Sequence, residues 1–205
     1  MTFRNVQLKS FSVSAGRLSV MLCWWSLAMS CAQLPSSAAL ADNPGRFRIV
    51  DAVAQQNADV WQASSQADLV LSEEALDALQ NSVALTIQYQ FEVTRRRKFW
   101  PDKTLAQPHL NRELRYQSLS QRYVVTDVSS GAQMSYATLY SALRAIGRVQ
   151  DFMLLPADRV DPDDKHYVAV RVALNREKLP GPLQMIAFWR GDFSLESDWY
   201  RWTLK

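Results

Sequence analysis

Residues 83–93 alternate without a break. Val83, Leu85, Ile87, Tyr89, Phe91 and Val93 fall on one side, and Ala84, Thr86, Gln88, Gln90 and Glu92 on the other. Apolar side chains at a period of two give an extended chain one buried face and one wet face, a division that helical periodicity does not produce. A strand of this kind is stable only within a sheet whose apolar face is covered by a second layer. The rest of the chain therefore has to supply neighbouring strands and a cover.

Neighbours are legible. Residues 167–174 place Val168, Val170, Val172 and Leu174 on one face with Arg171 pointing away. Residues 47–54 and 61–71 read as weaker strands, the second with a break expected near Ser64 and Ser65. Residues 114–128 alternate but change phase between Tyr116 and Tyr123, which predicts a bulge or a tight turn because one extra residue exchanges the faces. The terminal residues 199–204 alternate again, with Tyr200, Trp202 and Leu204 on one side.

Two helices interrupt the strands. Ser72 is placed to cap residues 73–79, where Glu73 and Glu74 suit the positive end of the helix dipole. Ser135 is read as the cap of a second helix carrying Tyr136, Leu139, Tyr140, Leu143 and Ile146, with Gly147 as a left-handed stop. The order β, β, α, β, β, α, β, β predicts a mainly β chain. The expected fold is a single-domain antiparallel β-sandwich, immunoglobulin-like in general architecture, with two short helices. A simpler α+β sheet is the alternative. No internal repeat and no linker divides residues 42–205, so one domain is expected there.

The first 41 residues read differently. Arg4, Lys9 and Arg17 precede an apolar run at 18–29, and Ala39, Leu40 and Ala41 precede Asp42. A basic start, a short apolar core and an A-x-A site form a secretory signal, with cleavage between Ala41 and Asp42. The apolar run rises only about 18 Å as a helix, short of the ~30 Å hydrocarbon core, so no membrane span is expected after cleavage. Lipid attachment at Cys31, after Ala28, Met29 and Ser30, is the alternative, as is retention as an anchor. Periplasmic residence follows from the signal. Removing the leader takes both cysteines, Cys23 and Cys31, and with them thiol chemistry. It also takes three cations and no acid, so the 23 Lys and Arg of the whole chain fall to parity with its 20 Asp and Glu. A neutral mature chain disfavours nucleic acid as a partner. At 48% apolar and 21% charged, the chain is neither a disordered tail nor a multi-span membrane protein.

Catalytic signals are absent. No H-E-x-x-H, G-x-S-x-G or G-x-x-x-x-G-K pattern occurs, and six glycines leave no phosphate loop. His109 reads as a loop residue. Asp161, Asp163, Asp164 and His166 crowd one segment, but their spacing is not that of a calcium loop, and Asp-Pro with Asp-Asp is ordinary turn chemistry. No catalytic residue, cofactor or metal is expected, and the chain is read as a non-enzyme. The late aromatics Phe188, Trp189, Phe193, Trp199, Tyr200 and Trp202 fit core packing, with stacking on sugars or a partner's groove as the functional option.

The conspicuous segment is Arg95, Arg96, Arg97 and Lys98 followed by Phe99 and Trp100. Continuing the strand's alternation would aim Arg95 and Arg97 at the core, so the core must end there. Arg95, Arg96, Arg97, Lys98 and Trp100 are the candidate contacts for an acidic protein patch, an anionic lipid or an acidic wall polymer. A solvated sheet end, with charges that block edge pairing, is the structural alternative.

Several motifs in order resemble one family. They are Leu76, Ala78 and Leu79 entering Val83-Ala84-Leu85, the Arg-rich exit with Trp100 and Asp102, and Leu114-x-Tyr116 with Leu119 and Tyr123. Ser141-Ala142-Leu143, Tyr167-x-x-x-Arg171, Leu179-Pro180-x-Pro182-Leu183 and Ser197-x-Trp199 follow. Together they resemble the proteobacterial family of domain of unknown function 4390, over most of residues 45–205. That family has no assigned activity. The resemblance implies an exported protein whose gene commonly neighbours one for a membrane-bound sensor histidine kinase. A binding module of the cell envelope, accessory to such a kinase, is the functional expectation. A binder of anionic lipid or polymer is the alternative, with an unrecognised hydrolase as the third reading.

Overall fold

The computed structural model describes residues 44–182, 184 and 194–204 of the 205-residue chain. The expected signal segment at 1–41, the expected cleavage site between Ala41 and Asp42, Cys31, and the aromatics Phe188, Trp189 and Phe193 lie outside the described residues.

Among the described residues ten strands form two antiparallel sheets. The smaller has the order β1-β2-β8, where β1 is Arg46–Asn57, β2 is Val60–Val70 and β8 is Arg148–Pro156. The larger is built on β3, Leu85–Arg95, the long alternating strand. Its neighbours are β9, His166–Leu174, and β5, His109–Gln117. Beyond β9 lies β10, Tyr200–Thr203. Beyond β5 lie β6, Arg122–Asp127, and β7, Gln133–Tyr136. Strand β4, Lys103–Ala106, pairs with the far end of β3. Helix α1 is Glu73–Gln80 and α2 is Leu139–Ile146.

The alternation expected over 83–93 is realised from Leu85 onward, with Val83 half-buried just before the strand and Thr86 buried on the otherwise half-wet face. Leu85, Ile87, Tyr89, Phe91 and Val93 are all buried, each contributing about 1.5–3 kcal/mol of hydrophobic stabilisation. Val168, Val170, Val172 and Leu174 extend the same face on β9. Opposite them lie Phe47, Ile49, Ala63, Val149 and Leu155 of the smaller sheet, and the rings of Phe91 and Phe152 stack between the two sheets at 5.0 Å. This is the expected mainly β, sandwich-like arrangement. A three-stranded sheet is too narrow to cover the wider one, and the helices make up the difference. α2 packs against β6 and β7 while also touching β2 and β8, and α1 packs against β5.

Several local expectations are corrected. β2 is continuous through Ser64 and Ser65, and the irregularity falls on β8 instead. There an extra residue makes a bulge, Asp151 takes φ 49°, and its N–H donates to Ser64 Oγ at 3.1 Å. The phase change after Tyr116 is a tight turn joining β5 to β6. Thr138, not Ser135, caps α2, accepting from Ser141 N at 3.2 Å, and Ser135 lies in β7. Gly147 is not left-handed, for its φ is −64°. Its lack of a side chain matters for another reason. Gly147 O accepts from Ala67 N at 2.7 Å, and a Cβ at 147 would run into the backbone oxygen of Ala67. Glycine is required because the end of α2 lies against β2.

Gly147→Ala should therefore destabilise the fold by about 1–3 kcal/mol through overpacking. Thermal denaturation followed by circular dichroism should show a melting temperature lower by several degrees. An unchanged melting temperature would mean that the helix end can move off β2 without cost.

Candidate functional site

The loop from β3 to β4 spans residues 96–102, and its cations divide into two groups. Arg95, the last residue of β3, pairs in register with His166 and bonds Asp164 Oδ2 through Nη1 at 3.1 Å. Arg96 donates from its backbone to Lys165 O at 2.9 Å and from Nη1 to the Tyr167 hydroxyl at 3.3 Å. These two pin the base of the loop to the connection entering β9. Exposed pairs of this kind contribute at most about 1 kcal/mol each, so their effect is on where the loop points.

The tip carries the other group. Arg97 donates its backbone N–H to Asp102 Oδ1 at 3.1 Å, which folds the loop back on itself. Lys98 Nζ sits 5.5 Å from the centre of the Phe99 ring. Phe99 and Trp100 are 84% and 74% exposed, two adjacent large aromatics in water on a single tip. The core has ended before them, as the expected fate of Arg95 and Arg97 required. Arg95, Arg96, Arg97, Lys98 and Trp100 are thus all brought to one end of the larger sheet, but Arg95 and Arg96 are tied to the protein and only the tip is presented outward. Phe99 belongs with the candidate contacts and is more exposed than Trp100; sequence alone left it as a neighbour of the site.

A second concavity, about 650 Å³, opens where α2 ends beside β6 and β7. Arg112 of β5 faces the core side and crosses to this helix end, where its Nη1 lies 2.9, 3.0 and 2.8 Å from the carbonyl oxygens of Ala145, Ile146 and Arg148. Tyr89 of β3 donates its hydroxyl to the Ile146 carbonyl at 3.1 Å. Burial pushes the Tyr89 phenol far above its ordinary value, against the opposing pull of Arg112, so it stays a donor. Arg144 and Arg148 stand exposed on the wall. Asp127 faces them from the β6–β7 turn, accepting from Ser129 N and Oγ and from Ser130 N. Partial burial raises its carboxyl, and the hydrogen bonds from the two serines together outweigh that and hold it below its ordinary value. Both Arg112 and Asp127 are engaged in holding backbone, so their geometry is accounted for structurally.

The remaining candidates do not converge. His109 is exposed at the start of β5 and pairs with Gln90 midway along β3, whereas buried His166 pairs with Arg95 at the end of that strand. Asp161 forms a turn by accepting from Asp163 N at 3.1 Å. Among the described residues no group of three carboxylates, imidazoles or thiols is gathered to hold a metal ion. No helix among them is long and apolar enough to cross a membrane. Tyr200 and Trp202 are partly buried along the edge of the larger sheet, whereas Trp199, expected in the core, is exposed just before that edge strand.

The family described as "Domain of unknown function (DUF4390)" matches residues 45–203. No curated protein matches the chain, and neither does any solved structure.

Two measurements check the helix-end chemistry. Arg112→Ala leaves three carbonyls without their cation and should cost roughly 2–3 kcal/mol in denaturant unfolding, in line with hydrogen bonds to a charged group. Asp127, with its folded value depressed, stabilises the β6–β7 turn above the unfolded carboxylate value, and that contribution is lost as pH falls through the folded value. A side-chain NMR titration should place its midpoint below that of an ordinary aspartate; a midpoint at or above the ordinary value would contradict the serine contacts.

Proposed function

The chain belongs to the DUF4390 family, and we propose that it is an exported, non-enzymatic binding module of the cell envelope whose contact element is the β3–β4 loop. The observation that carries this reading is the tip itself. Phe99 and Trp100 are largely exposed beside Lys98 and Arg97, at the end of a strand whose inner face is buried along its length. A folded protein gains nothing from holding two aromatics in water, and adjoining exposed apolar surface marks contact sites. Trp and Arg are the residue types that dominate binding energy when a partner buries them, while the cations steer encounter with an acidic surface.

The partner in this reading is an envelope protein, with the extracytoplasmic part of a sensor histidine kinase as the first candidate. The protein reaches it through the signal at residues 1–41, cleaved between Ala41 and Asp42. A second reading, an anionic lipid or wall polymer, is favoured by the projection of the two aromatics together, since amphipathic rings flanked by Lys and Arg also suit a membrane interface.

In-cell crosslinking of the tagged protein followed by mass spectrometry should capture an envelope protein with the wild type and lose it when Arg97, Lys98 and Trp100 are replaced by Ser, Ser and Ala. Equal capture by both would overturn the loop as contact element. In a purified complex Trp100→Ala alone should cost about 2 kcal/mol or more, roughly a thirtyfold loss of affinity. Co-sedimentation with phosphatidylglycerol vesicles, but not with phosphatidylcholine vesicles, together with a steep fall as salt is raised, would move the assignment to the lipid reading.

A further inference from the structure

The outer face of the larger sheet carries a second and different surface. On β3 the outward residues are Gln88, Gln90, Glu92 and Thr94, all half-buried although among the described residues no helix or strand packs broadly on them as a second layer. Register extends this polar stripe sideways. Gln90 lies between His109 and Arg171, Glu92 lies beside Ala169 and then Arg201, and Thr94 lies beside Tyr167 and then Thr203. Two concavities of about 610 and 280 Å³ open along it, and Glu92 lines both. They form one groove running over Gln88 to Thr94, about 20 Å at the rise of a strand. Pro108, whose carbonyl accepts from Phe91 N at 3.0 Å, walls one side, and Trp199 stands on the other. The small side chain of Ala169 keeps the floor low.

The floor is organised before any ligand arrives. Gln90 donates to Gln88 Oε1 at 2.7 Å, and Arg171 Nε donates to Gln90 Oε1 at 2.7 Å. The Arg171 guanidinium also lies 4.7 Å from the Trp199 ring, fixing that indole at the rim. Glu92 Oε1 accepts from Thr104 at 3.0 Å and from Thr94 at 3.4 Å. The buried indole N–H of Trp202, which lines the larger concavity, has no acceptor among the described residues.

Charge decides the class of ligand. Arg96 and Arg201 are matched within the lining by Glu92 and Asp102, and Arg171 is matched from outside it by Glu196, 3.8 Å away. A groove with no net charge selects neither an anion nor a cation. It offers amides, carboxylates, guanidiniums and hydroxyls as both donors and acceptors, together with aromatic rings, in a trough open along its length. A peptide strand would need a free ladder edge, and this is a sheet face with its backbone already paired. We propose that this groove binds a neutral glycan chain, its hydroxyls bridging Gln88, Gln90 and Glu92 and one sugar ring resting on Trp199. The surface is separate from the aromatic loop tip and does not depend on the reading of that tip.

The test is calorimetric titration of the chain with chitohexaose, cellohexaose and maltohexaose, with oligogalacturonate as the anionic comparison and a Ser/Gly decapeptide as the peptide comparison. At least one neutral hexasaccharide should bind, with little dependence on salt. Gln90→Ala and Trp199→Ala should each weaken that binding about tenfold, while Lys98→Ser with Trp100→Ala should leave it unchanged. Arg201→Ala, at an exposed position without a protein partner among the described residues, guards against misfolding and should weaken binding with an unaltered melting temperature. Binding by none of the neutral glycans overturns the proposal. So does preference for the oligogalacturonate or the peptide, or loss in the loop variant instead of the groove variants.

Discussion

The end of α2 is the joint on which the rest of the molecule depends. A helix leaves its last carbonyls without internal partners, and burying them unmet costs free energy. Here the helix has to end inside the protein, because the three-stranded sheet covers only part of the wider one and α2 completes the cover. Arg112 and Tyr89 reach across from the larger sheet to the carbonyls of Ala145, Ile146 and Arg148, and Gly147 lets β2 come close enough to bond from Ala67. One helix end thereby couples both sheets. An arginine suits this position, since it keeps its charge at any ordinary pH and its planar donors fit several oxygens at once.

With cover and closure supplied on the inner side, the outer side of the larger sheet and its end are free for other uses. Arginine is used in three ways within one domain. Arg112 satisfies backbone, Arg95 and Arg96 aim a loop, and Arg171 holds glutamine and tryptophan side chains on the open face. The loop tip and the groove differ in their chemistry as well as their place. The tip is cationic and aromatic, suited to an acidic partner. The groove is balanced in charge and polar, suited to a ligand rich in hydroxyls.

Much of this was legible from periodicity. β3 and β9 are buried on one face along their length, and a period of two in sequence is then a direct image of burial. The sandwich-like class and the exit of the core at Arg95 follow from the same signal. β8 was invisible because the bulge at Asp151 shifts the phase midway, leaving Val149 and then Leu154 and Leu155 inward. β4 and β7 are four residues each at sheet margins and bury too little to leave a pattern. Arg112 could not be recognised, since its partners are more than thirty residues away in sequence. Within the basic run, the division between the pinned Arg95 and Arg96 and the presented tip depends on Asp164 and Tyr167, partners 69 and 71 residues on. The outer-face groove needed register, because Gln90 and Arg171 are ordinary polar residues until a ladder sets them side by side.

On the proposed reading the molecule meets its partner through the β3–β4 tip. The most direct measurement places a photoreactive amino acid at position 100 in living cells, with position 119 as the comparison. Leu119 is fully exposed in the β5–β6 turn, and its neighbours in that turn, Ser118, Ser120 and Gln121, are uncharged. The account predicts a discrete covalent adduct from position 100 and none from position 119. Adducts of the same size and yield from both positions, or from position 119 alone, would contradict it.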